Sequence, residues 1–355
     1  MTYFRQNIEA MPSYQPGEQP TAGVKFIKLN SNENPYPPSP QAITVVREVD
    51  GEMLRRYPDR MAEPFRQAAS RALGVPQDWI LVGNGSDDLL TIIVRACAGF
   101  SRSVVYPEPT YVLYRTLAHI QDAKVQEIQY PEDYQLPVDE LIAANGAVTF
   151  IASPNSPSGT AVPVELLDKL ARQLSGVLVI DEAYVDFAED NALALVENDN
   201  VIILRTLSKG YSLAGLRLGF GIANPTLLER LVKVKDSYNV DAVACLVGAA
   251  AIADQDYKIV NAEKIKRDRT QLASDLKQLG FKVWPSQTNF LLVQPLNRDA
   301  EWLYQTLKSQ GILVRYFKQP RLEDKLRITV GTSEQNETLI DKLAELILPT
   351  CSPQF

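Results

Sequence analysis

A handful of side chains in this 355-residue sequence stand where chemistry is easiest to build. Lys209 lies in Arg205-Thr206-Leu207-Ser208-Lys209-Gly210-Tyr211, just past the apolar run Val201-Ile202-Ile203-Leu204, which reads as a buried strand. A lysine amine placed there, flanked by hydroxyls and small residues, can form a Schiff base with a carbonyl compound. The ordinary alternative is a solvated loop lysine. Asp181 ends a second apolar run, Val177 to Ile180, and is followed by Glu182-Ala183-Tyr184. An acid at the end of such a strand is costly unless paired. A protonated pyridine nitrogen would be one partner, with Tyr184 near enough to reach that ring's hydroxyl; a structural salt bridge would be another.

Three further stretches sit at predicted strand ends. Ser153-Pro154-Asn155-Ser156-Pro157-Ser158-Gly159-Thr160 could hold the Asn155 amide against a ligand oxygen, or could be no more than a tight loop. Gly83-Asn84-Gly85-Ser86-Asp87 joins a strand to a helix, where backbone amides favour an anion and Ser86 is a plausible N-cap. Arg217, eight residues past Lys209, could join Ser208 as a phosphate clamp or make an ordinary ion pair.

The elements that must position these groups follow from periodicity. Short apolar strands are predicted at 79–82, 104–106, 125–129, 148–151, 177–180, 201–204 and 218–222, with helices between most of them. That alternation predicts an α/β fold whose larger domain carries a mostly parallel sheet covered by helices. Ligands in such sheets bind at the carboxyl ends of the strands. One helix is predicted from about Ser39 to Met53. After Pro225 the pattern turns helical to about Gln278, and a smaller α/β unit follows, ending in a helix from Glu334 to Leu348. The expected organisation is an N-terminal arm (1–40), a large domain (41–255) and a small C-terminal domain (256–355). The arm and residues 41–60 are candidates for the small domain or a dimer interface.

Composition narrows the class. Hydrophobic residues make up 45% and charged residues 22%, as in a folded globular chain. A net charge of −7 argues against a general nucleic-acid or acidic-membrane binder. Cys97, Cys245 and Cys351 are too scattered for a disulfide framework or a zinc site. His119 is the only histidine, which leaves little for a histidine-based triad or metal cluster. No signal-like N-terminus and no apolar run of transmembrane length are visible, so the expected location is cytoplasmic.

Taken together, SPNSPSGT, DEAY and TLSKGYSLAGLRLGF resemble the signature of fold-type I pyridoxal-phosphate-dependent aminotransferases, with an aspartate aminotransferase-like fold. Asn30 to Pro37 (NSNENPYP), Arg56-Tyr57-Pro58, Gly85-Ser86-Asp87, Pro109-Thr110-Tyr111 and Leu326-Arg327-Ile328-Thr329-Val330-Gly331-Thr332 narrow the resemblance to the histidinol-phosphate aminotransferase family, over roughly residues 25 to 348. The resemblance implies that Lys209 holds pyridoxal phosphate (PLP) as a Schiff base, Asp181 pairs with the ring nitrogen, and Asn155 and Tyr184 bind the ring hydroxyl. Tyr111 would stack on the ring. Ser86 and Asp87 amides, Ser208 and Arg217 would bind the phosphate, joined by Tyr57 from a second subunit of a homodimer. Arg327, helped by Arg315, would grip an anionic group of the substrate. Tyr14, Glu33, Asn34 and Tyr36 of the arm are expected to close over its other end. Two departures stand out: Asp88 where many relatives have Glu, and Gly210-Tyr211 in place of the commoner Ala-Phe.

The implied reaction is transamination between histidinol phosphate and 2-oxoglutarate in histidine biosynthesis, with ping-pong kinetics and Lys209 as the acid–base group. Alternatives are an aromatic amino-acid aminotransferase, a PLP decarboxylase of a phosphorylated amino acid, and a non-catalytic binder on the same fold.

Overall fold

The computed structural model describes residues 3–11 and 26–347. Tyr14 and Cys351 lie outside the described residues. In chain order the elements are α1 (Gln6–Ala10), β1 (Ile27–Lys28), α2 (Pro40–Arg47), α3 (Gly51–Leu54), α4 (Glu63–Leu73), β2 (Ile80–Gly83), α5 (Ser86–Cys97), β3 (Val104–Glu108), α6 (Leu113–Ile120), β4 (Val125–Gln129), α7 (Val138–Ala144), β5 (Val148–Ala152), α8 (Val164–Gln173), β6 (Val177–Asp181), β7 (Val201–Thr206) and β8 (Gly219–Ala223). Then come α9 (Pro225–Val232), α10 (Ala242–Ala253), α11 (Gln255–Gln278), β9 (Phe281–Val283), β10 (Phe290–Pro295), α12 (Ala300–Ser309), β11 (Ile312–Leu313), β12 (Arg315–Tyr316), β13 (Leu326–Thr329) and α13 (Ser333–Ile347).

The larger sheet has seven strands in the order β2-β8-β7-β6-β5-β3-β4. All pairings are parallel except those of β8, which runs against both β2 and β7. Its central strands are apolar on both faces because helices cover both. The two-residue period divides them: Leu178, Ile180, Val201 and Ile203 join the core under one helical layer, while Val179, Ile202, Leu204 and Phe150 join the core under the other. The smaller sheet is antiparallel, in the order β12-β13-β10-β9, and its core includes Leu291, Val293, Leu326 and Ile328 packed on Ile265, Leu272 and Leu276 of α11. That 24-residue helix runs from the end of α10 to the smaller sheet, with its buried positions spaced at three and four.

Two expectations change. The helix predicted over 39–53 is two helices, because Asp50 takes extended backbone and accepts the amide of Met53 at 2.8 Å, capping α3 afresh. And part of the arm is not an arm: β1 pairs in parallel with β11, Ile27 opposite Ile312, which ties residues 27–28 to the C-terminal unit.

Candidate active site

Strand register brings the predicted groups to one edge. Asp181, the last residue of β6, lies opposite Ala152, the last of β5. Thr206 at the end of β7 faces Gly219 at the start of β8, and Gly219 faces Gly83 at the end of β2. Because β8 is reversed, Arg217 enters from the same edge at which Lys209 and α5 leave it. There a cavity of about 820 Å³ opens, walled by Ser86, Asp87, Tyr111, Asp181, Tyr184, Ser208, Lys209, Arg217, Arg315 and Arg327.

Asp181 is buried, and its partners are neutral: Oδ2 accepts from the Tyr114 hydroxyl at 2.7 Å and Oδ1 from the Ala183 amide at 3.1 Å. Burial pushes its carboxyl up to about 6, against the pull of those two bonds. A carboxyl held this way, on a cavity wall, gains most from a cationic partner that arrives with a ligand. Tyr114 was not singled out from sequence. It sits three residues past Tyr111 on an amphipathic helix and reads as core; its ring does stack on Phe150, and only the fold reveals the hydroxyl's partner 67 residues away.

Opposite Asp181, the N-terminus of α5 forms an anion cradle. Gly85, with φ 80°, is the N-cap, and no side chain caps the helix. The expectation that Ser86 caps it is therefore corrected: Ser86 is the first helical residue, and the amides behind it point at the cavity edge uncovered by any capping side chain. Gly219 lets this turn come close, since a Cβ there would lie 2.7 Å from the carbonyl carbon of Gly85. Arg217, in left-handed backbone (φ 56°), reaches over the cradle to Asp87 Oδ2 at 3.1 Å and to Ser208 Oγ at 3.5 Å. The Tyr111 hydroxyl donates to the other Asp87 oxygen at 3.1 Å.

Lys209 Nζ lies 3.3 Å from the Ser31 carbonyl and 5.8 Å from the centre of the Tyr184 ring. The Tyr184 hydroxyl accepts from Asn32 Nδ2 at 2.8 Å. At the mouth, Arg315 and Arg327 are directly paired across β12 and β13. Arg327 donates to Ser156 Oγ at 2.9 Å and to the Asn30 carbonyl at 3.1 Å, and both guanidinium groups pack on the Phe317 ring.

Two expected cavity residues are engaged elsewhere, and Tyr57, expected to serve a second subunit, lies on the surface. Asn155 is fully buried, and its two amide hydrogens go to the Pro109 carbonyl and Ser158 Oγ, while Oδ1 accepts from Thr110. It shapes the loop and does not present a spare donor to the cavity. Asn34 donates to the carbonyls of Lys209 and Gly210, at 3.0 and 3.3 Å, and so holds the lysine loop instead of a substrate. Tyr57 is 82% exposed and stacks on Tyr238 away from the cavity. Asn32 and Ser31, inside NSNENPYP, are the wall residues that only the folded strap identifies.

A buried acid, a helix N-terminus with an arginine beside it, and a lysine thus line one cavity, an arrangement that suits a phosphorylated carbonyl cofactor. The chain belongs to the class I and II aminotransferase family, whose family model matches residues 24–343. Within it the chain is similar to histidinol-phosphate aminotransferases. The chain is 65% identical to histidinol-phosphate aminotransferase 1 of Nostoc sp., over 97% of this chain and 98% of that one. It is 43% identical to the histidinol-phosphate aminotransferase of Citrifermentans bemidjiense, over 98% and 99%. The crystal structure of histidinol-phosphate aminotransferase from Sinorhizobium meliloti in complex with pyridoxal-5'-phosphate superimposes with a TM-score of 0.89 at 28% identity, covering 98% of each chain.

Proposed function

We propose that this chain is a PLP-dependent aminotransferase that interconverts L-histidinol phosphate and 2-oxoglutarate with imidazole-acetol phosphate and L-glutamate. The observation that carries the reading is the convergence, in one cavity, of Lys209, the buried Asp181, the α5 cradle and the Arg315–Arg327 pair. The residues fit the cofactor. Asp181 suits a protonated ring nitrogen, the α5 amides with Ser208 and Arg217 suit a phosphate, Tyr184 suits the ring hydroxyl, and Tyr111 stands where it can cover the ring.

When bound, PLP supplies an electron sink for the carbon that loses its proton. The protein supplies the rest. Asp181 keeps its partner cationic by lending a negative charge in a low-dielectric wall. Lys209 Nζ would hold the cofactor's carbonyl carbon and, once free, would serve as the base and acid that moves a proton from the amine-bearing carbon of the substrate. Arg327 and Arg315 grip the phosphate of one substrate and a carboxylate of the other.

The same reading makes the active unit a homodimer in the cytoplasm. Tyr57 and Tyr238 stack on each other while exposed, an aromatic pair suited to burial against a second copy. Sedimentation velocity should show a dimer. The substrate assignment is tested by mixing the PLP-loaded protein with histidinol phosphate, phenylalanine or phosphothreonine. Histidinol phosphate should discharge the visible absorbance fastest without release of carbon dioxide. Faster discharge by phenylalanine, or carbon dioxide from phosphothreonine, overturns it.

A further inference from the structure

Lys209, Gly210 and Tyr211 are gripped by three separate parts of the chain. The Asn34 amide holds the first two carbonyls. On α11, Gln255 donates to the Tyr211 hydroxyl at 3.0 Å, and Lys258 sits 5.3 Å from the centre of the Tyr211 ring. Between these grips Asp186 packs against the Cα of Gly210. A Cβ added at Gly210 would lie 2.5 Å from the Asp186 Cγ and 2.6 Å from its Cβ. Turning the carboxylate aside would not clear the second contact. Gly210 does not have left-handed backbone, so space and not conformational freedom requires the glycine.

Asp186 is itself fixed. Its Oδ1 pairs with Lys258 Nζ at 3.0 Å, and the two side chains are only 11% and 16% exposed, so solvent screens the pair little. Asp186 also belongs to the short turn Val185–Phe187 that directly follows Asp181 and Tyr184. The strut therefore connects the turn that carries the ring-facing groups to the loop that carries the lysine, and braces both on α11.

We propose that Asp186 is a positioning residue for Lys209. Its carboxylate, anchored by Lys258, fills the space that a side chain at position 210 would take and sets the distance of the lysine from Asp181 and Tyr184. This rests on the reading of Lys209 as the carbonyl-binding amine. A glycine at 210 and an acid at 186 are thus two halves of one device.

The test uses PLP-loaded wild type, Gly210→Ala, Asp186→Gly, the double variant Asp186→Gly/Gly210→Ala, and Lys258→Met. Each is measured for kcat, KM, the pH midpoint of the visible absorbance, and melting temperature. Gly210→Ala should lower kcat by about 10- to 100-fold, as a misplaced reacting group does, with a much smaller change in KM and a shifted absorbance midpoint. In the Asp186→Gly background, which removes the Asp186 Cβ as well as the carboxylate, the same change should cost far less, a non-additive pair. Lys258→Met, which frees Asp186 and also removes the ammonium from over the Tyr211 ring, should move the midpoint in the same direction. Additive effects overturn the proposal. So does a Gly210→Ala protein, or a Lys258→Met protein, that melts lower while keeping wild-type kcat and midpoint. If Gly210→Ala does not fold, a double variant that folds and binds PLP supports the strut, and one that fails equally overturns it. A wild type without visible absorbance in PLP would break the underlying reading of Lys209, and additive variants of an absorbing wild type would break only the strut.

Discussion

The floor and the mouth of this cavity are built in opposite ways. The floor is made at strand ends, where Asp181, Lys209, Arg217 and Ser86 each lie within three residues of a strand of one sheet, and the register of that sheet sets their spacing. The mouth is made where three distant segments meet. The Asn32 amide donates to Thr329 Oγ1 across 297 residues, Asn289 donates to the Asn32 carbonyl, and Arg327 reaches the Asn30 carbonyl. Backbone pairing fixes the floor, whereas side chains hung on converging segments fix the mouth. Changes in the floor should therefore act on cofactor retention and on chemistry, and changes in the mouth on substrate.

The strongest way to break that division is Lys209→Ala. Removing the acid–base group should cost at least about 10³-fold in turnover and remove the lysine-bound absorbance. A variant that transaminates at the wild-type rate would dismiss the floor as the reaction centre. Next is Asp181→Asn, whose effect has a sign that depends on pH. The folded carboxyl holds its proton to about pH 6, above its ordinary 3.8. The cofactor-free folded state thus binds more protons than the unfolded chain between those values, so this group's contribution is intact below about pH 4 and is lost as pH rises through 6. The shift corresponds to about 3 kcal/mol. Cofactor-free Asp181→Asn should accordingly gain on wild type as pH rises from 4 to 7, while its affinity for PLP falls. Parallel denaturation curves at both pH values would show instead that the acid is already compensated.

The same contrast explains what sequence could and could not reveal. The strands of the larger sheet are legible because both faces are buried, which leaves continuous apolar runs, and the chemistry is legible because it begins where those runs stop. Asp181 stands out since an acid there is costly. Hydrogen-bond partners are another matter. Nothing local to Asn155 or Asn34 says that their amides serve backbone carbonyls, because Pro109 and Lys209 come near only after folding. Tyr114 looks like any core aromatic until its hydroxyl is seen on Asp181. The break between α2 and α3 was hidden because the apolar pattern continues past it, while a single capping aspartate decides the matter.

At the mouth, Arg327→Ala should lower apparent affinity for both histidinol phosphate and glutamate by roughly 10- to 100-fold, the range of a charge-assisted hydrogen bond, with PLP affinity much less affected. Equal losses of substrate and cofactor would erase the distinction between the two regions. The smallest effect, and the sharpest test, comes from Asn32, which touches both. Its side chain donates to the Tyr184 hydroxyl and accepts from Thr329, and its backbone is left-handed at φ 56°. Asn32→Ala removes both bonds and leaves a Cβ in strained backbone, whereas Asn32→Gly removes the same bonds and relieves the strain, a difference of about 1 kcal/mol in stability. The alanine variant should therefore melt lower than the glycine variant. Both should raise KM by about three- to tenfold, since the bonds lost are between neutral groups, and both should shift the pH midpoint of the visible absorbance through Tyr184. A KM effect with an unmoved midpoint would assign Asn32 to the mouth alone, and a moved midpoint with wild-type KM would assign it to the floor.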